Sequence, residues 1–88
     1  MDQKIINKVT ELMARVIKLN EKAERGFYYA FDFSGHTKQV DFRKLSTPEY
    51  RMVISAYSYL EMPHLSVSLE DIEDIIAAEE EAQKEGQK

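Results

Sequence analysis

Apolar and polar positions alternate in two different rhythms along this chain, and each rhythm predicts an element. From residue 3 to residue 25 the apolar residues Ile5, Val9, Leu12, Val16, Leu19 and Ala23 recur at spacings of four and three, with Ile6, Met13 and Ile17 widening the stripe. That spacing predicts a long amphipathic helix, with Asp2 as N-cap and Gly26 as the C′ glycine that ends it. The period then drops to two. Phe27, Tyr29, Phe31 and Phe33 alternate along one strand and Val40 and Phe42 along the next. Between them Ser34-Gly35-His36-Thr37 forms a polar connection whose glycine can take a positive φ. Alternation places the aromatics on one face, which needs a cover, because a lone ribbon is marginal in water.

Ser46-Thr47-Pro48-Glu49 reads as a helix start, with Thr47 as N-cap and Pro48 at the first helical position. Tyr50, Val53, Ile54, Tyr57 and Leu60 follow at helical spacing up to Pro63, although Val53 to Tyr59 is rich in strand formers. A last helix starts at Ser68, with Asp71 completing a capping box and Val67 placed to staple onto Ile72. Its stripe is Leu69, Ile72, Ile75 and Ile76. The fold predicted is therefore α+β in the order helix, strand, strand, helix, helix. It forms a single domain over residues 1–85, followed by a frayed C-terminal tail at 86–88.

Charge sharpens this picture. The 88 residues carry a net charge of −4, but Ser68 to Lys88 alone carries −6 and the rest +2. The acids crowd the first turns of the last helix, where its dipole favours them. The bases form a ridge on the first helix, Lys4, Lys8, Arg15, Lys18, Lys22 and Arg25, displaced by one residue from the apolar seam. Such a ridge either faces the acidic last helix, docks an acidic partner, or tracks nucleic-acid phosphates. Facing the acidic helix is the favoured reading, since that helix would repel a phosphate backbone.

Candidate chemistry is sparse. With no cysteine, thiolate nucleophiles, disulfides and thiolate metal sites are excluded. His36 is flanked by Asp32 and Asp41, but no further ligand is locally spaced to complete a metal site, and His64 stands alone in a connector. Three glycines do not build a phosphate-binding loop. No enzyme activity, cofactor or metal is expected. No apolar run is long enough to span a bilayer and Met1 to Lys4 does not read as a signal peptide, so a cytoplasmic location is expected.

Tyrosines carry the other signal. Tyr28, Tyr57 and Tyr59 cannot all face inward, and exposed tyrosines favour protein interfaces. With Lys8, Arg15 and Lys22 they make up the candidate interaction surface. The expected function is a non-enzymatic protein-interaction module, with nucleic-acid binding through the basic ridge as the alternative. A homodimer is expected as well. The two open edges of a ribbon would pair across a two-fold axis into a four-stranded sheet, the competing solution being a monomer whose C-terminal helices fold back over it.

The segment Phe31-Asp32-Phe33-Ser34-Gly35-His36, after a helix and an aromatic strand, resembles small uncharacterised proteins of bacterial prophages and mobile elements, over roughly residues 5–43. The resemblance implies an accessory protein that acts by binding, and it carries no functional residues with it.

Overall fold

The computed structural model describes residues 1–86. Its elements run α1 (Gln3–Glu21), β1 (Phe27–Ser34), β2 (Gln39–Ser46), β3 (Arg51–Tyr59), a 3-10 turn at Pro63–Leu65, and α2 (Leu69–Gly86). The class is α+β, and the three strands form one antiparallel sheet in the order β1-β2-β3. The expected two-stranded ribbon and middle helix are therefore corrected. Residues 51–59, expected to be helical, pair with β2 as a third strand. Thr47 and Pro48 belong to the turn that delivers it, in which Tyr50 has a φ of 54°. The physical reason is that β-branched and aromatic residues from Val53 to Tyr59 suit a pleated strand, and β2 offers them an unpaired edge. Residue 53 is the extra one in a bulge, since Lys44 opposes Ile54 while Leu45 opposes Met52.

α1 forms where expected but ends at Glu21, before the predicted limit. Gly26 does hold a positive φ, 94°, in the turn entering β1 rather than at the helix end. In the hairpin connection the positive φ falls on Lys38, not Gly35. At the other terminus, the Asp71 amide donates to Ser68 Oγ at 3.1 Å and the Ser68 amide to Asp71 Oδ2 at 3.0 Å, a reciprocal capping box. α2 continues through Gly86, inside the expected tail, and residues 87 and 88 of that tail lie outside the described residues.

Both helices pack on one face of the sheet. Leu12, Val16 and Leu19 of α1 and Ile72 and Ile76 of α2 enclose Tyr29, Val40, Phe42 and Ala56. Phe42 is the largest fully buried side chain and stacks on Tyr29 with centroids 6.0 Å apart. Phe31, one of the aromatics on the face that needs a cover, is only partly buried, and Phe33 is exposed at the rim. The four aromatics of β1 share a face but not a depth, with Tyr29 in the core and Phe33 at the hairpin end of the strand.

α1 and α2 run in the same direction. Their contacts keep the same order along both helices: Lys8 with Glu73, Arg15 with Glu80, and the Leu19 carbonyl accepting from Gln83 Nε2. No helix among the described residues is long and apolar enough to cross a membrane.

Candidate interaction surface

The face of the sheet turned away from the helices is built by the strand pairing itself. Side chains alternate across a strand, so the residues between Tyr29, Phe31, Val40, Phe42, Ala56 and Ser58 point outward. The register places Tyr28 beside Leu45 and Leu45 beside Met52, and Asp32 beside Asp41 and Asp41 beside Tyr57. It also places Ser34 beside Gln39 and Gln39 beside Tyr59. Tyr28, Tyr57 and Tyr59 thus share one face, Tyr28 toward one end of the sheet and Tyr57 and Tyr59 toward the other. Tyr57 and Tyr59 meet edge to face at 5.5 Å, and Tyr28 meets Tyr50 the same way at 6.5 Å. Neither helix covers them, and Tyr57 stays 44% exposed.

Between the two tyrosine pairs runs a polar strip. The Arg43 guanidinium donates to Asp32 on the neighbouring strand, and Gln39 Nε2 donates to Asp41 at 2.9 Å. Arg43 Nε is shielded from solvent and has no acceptor among the described residues. A half-apolar, half-hydrogen-bonding surface of this kind resembles a protein interface more than a solvated sheet face, which would be cleanly polar. Leu45, Tyr50 and Met52 belong to it and escape the sequence reading, which assigns Tyr50 and its neighbours to a helix. The strand-forming run from Val53 to Tyr59 is the signal that a strand and not a helix follows the turn.

The basic half of the predicted surface lies elsewhere. Lys8 Nζ contacts Glu73 at 3.0 Å and Glu11 at 2.8 Å. Arg15 grips Glu80 with two parallel bonds, Nε to Oε2 at 3.0 Å and the terminal nitrogen to Oε1 at 2.6 Å, and also reaches Glu73 at 3.1 Å. Hydrogen bonds from Lys8 and Arg15 hold the Glu73 and Glu80 carboxyls below the usual glutamate range, against the opposing effect of burial. Lys8 is raised by its hydrogen bond to Glu11 first and then by that to Glu73, and Arg15 by its bonds to Glu80 and then Glu73. Lys8 and Arg15 therefore clamp α1 to α2. Lys22 is exposed at the C-cap of α1, on the far side of the molecule from the tyrosines' face.

A second polar clamp joins α2 to the covered face. Lys44 Nζ lies 2.8 Å from Glu79 Oε1, which also accepts from the Tyr29 hydroxyl at 2.9 Å. The ammonium sits 5.1 Å from the Phe27 ring centre and 5.5 Å from that of Tyr29. Burial raises the Tyr29 hydroxyl above its ordinary pKa, and the Glu79 carboxylate adds to that. Burial works against the charge on Lys44, but Glu79 and Tyr29 together outweigh it and the net shift is upward.

His36 lies exposed in the hairpin connection and His64 in the turn after β3. Asp32 and Asp41 are engaged by Arg43 and Gln39, and among the described residues no group of three His, Asp or Glu side chains is placed to share a metal ion. Comparison with known proteins finds no matching family model, no matching curated protein and no matching solved structure.

Proposed function

We propose that this chain is a small non-enzymatic protein-interaction module, an accessory or regulatory protein that binds its partner through the open face of the sheet. The observation that carries the reading is that Tyr28, Leu45, Tyr50, Met52, Tyr57 and Tyr59 lie uncovered on one side of a sheet whose other side holds the core and both helices. Tyrosine contributes large contact area at small entropic cost and keeps a hydroxyl for the polar part of an interface. The nucleic-acid alternative is weakened because Lys8 and Arg15 are held by Glu73 and Glu80, beside an acidic helix that repels phosphate.

The test is parallel capture from lysate by the wild type, Tyr57→Asp, and Lys22→Glu. The reading expects one set of proteins held by the wild type and Lys22→Glu and lost by Tyr57→Asp. Retention by Tyr57→Asp with loss in Lys22→Glu, or a salt-sensitive gel shift with nucleic acid, would reverse it.

A further inference from the structure

We propose that α1 carries a second seam through which two copies of this chain pair, antiparallel, about a two-fold axis. The seam is Gln3, Ile6, Thr10, Met13 and Ile17, at spacings of three, four, three and four, the repeat of a helix that lies along another helix. It lies on the flank of α1 away from α2. Its apolar members are left open to solvent, Ile6 41%, Met13 38% and Ile17 56% exposed, with Phe33 of β1 beside them at 41%.

Charge points to a second copy as the occupant. From Gln3 to Asn20 the charged residues of α1 (Lys4, Lys8, Glu11, Arg15, Lys18) fall on a separate arc of the helix, leaving Gln3, Ile6, Asn7, Thr10, Met13, Ala14 and Ile17 uncharged; the one acid on this arc, Glu21, stands at the last residue of the helix, a turn beyond Ile17. A two-fold contact sets each group against its own copy's surface, so a charged face repels itself and an uncharged one does not. The acidic α2 fails that condition and this flank of α1 meets it.

Shape gives the direction. Ile6, Val9, Thr10, Met13 and Phe33 line an almost wholly apolar groove at the N-terminal half of α1. Ile17, the most exposed of the apolar seam residues, projects at the other half. An axis across the helix between Thr10 and Met13 sets the Ile17 of each copy into the groove of the other. A parallel pair would set Ile17 on Ile17 and leave both grooves empty.

The pairing is through helices and not by extending the sheet. Asn20, on the same flank, donates to the Tyr29 carbonyl at 2.9 Å and accepts from its amide at 2.7 Å, closing the edge of β1 there. This interface differs from the four-stranded sheet expected from edge pairing and is independent of the tyrosine face.

Sedimentation equilibrium tests the proposal. The wild type should rise from 10.3 kDa toward twice that mass at high micromolar concentration. Ile17→Glu, and separately Ile6→Glu, should weaken association at least about tenfold by placing a charge in the apolar seam. Both should keep the wild-type circular dichroism, whereas Tyr57→Glu should associate as the wild type does. Because the chain has no cysteine, Ile6→Cys/Ile17→Cys should form covalent dimers under mild oxidation while Ile17→Cys alone should not. A wild type that remains monomeric, association undiminished in both glutamate variants, or cross-linking by Ile17→Cys alone would each overturn it.

Discussion

Asn20 shows how much one side chain does at the margin of this sheet. Backbone groups of an edge strand that point away from the sheet are a template for another chain. The Asn20 amide meets both outward groups of Tyr29, standing in for one residue of a neighbouring strand. On the opposite edge, Ser66 Oγ accepts from the Tyr59 amide at 2.9 Å. Asn20→Ala should cost about 1–2 kcal/mol, the scale for stranding a part-buried hydrogen-bonding pair, and should raise the tendency to aggregate. Chemical denaturation with light scattering reads both effects, and an unchanged midpoint would show that water replaces the amide without loss. Phe42 is the matching test for the core. Phe42→Ala should cost about 3–5 kcal/mol, and Phe33→Ala, at the exposed rim, well under half of that. Equal losses would mean that β1 and β2 are buried alike.

The elements differ in how openly the sequence declares them. α1, β1, β2 and α2 are legible because their buried residues are large and recur at the right period. The capping box at Ser68 and Asp71 can be read to the residue. β3 is not legible as a strand because its inward positions are Ala56 and Ser58 while its outward ones are Tyr57 and Tyr59. Burying the small residues and exposing the aromatic ones inverts the usual alternation. A bulge at residue 53 further shifts the phase, so Tyr50, Val53, Ile54, Tyr57 and Leu60 mimic a helical stripe. The α1–α2 clamp was readable as complementary charge, and its consequence is a pH dependence. Glu73 and Glu80 titrate lower in the folded chain than when unfolded. Their contribution is therefore fully present above the ordinary glutamate pKa, about 4.3, and is lost as pH falls through the lower folded values. Arg15→Ala should flatten that acid limb in thermal melts from pH 6 down. A limb of unchanged slope would mean that the pairs are too screened to matter.

At the scale of the whole molecule, two helices cover one side of a three-stranded sheet and leave the other side to something else. The tyrosines of that side were identifiable in the sequence as a group that could not all face inward, although Tyr57 also fitted the helical spacing of Tyr50, Val53, Ile54 and Leu60. Their neighbours Leu45, Tyr50 and Met52 were not, since membership of the face depends on pairing between residues distant in the chain. The basic ridge, equally visible in the sequence, is partly spent on holding the fold together. The central claim is that the open face is the binding face, and the most direct measurement is the change in amide resonances when a captured partner is titrated into labelled protein. The account predicts the largest shifts at Tyr28, Leu45, Met52, Tyr57 and Tyr59, with Lys22 and the exposed side of α2 unmoved. Shifts confined to α1 and α2, with those five residues unchanged, would contradict it.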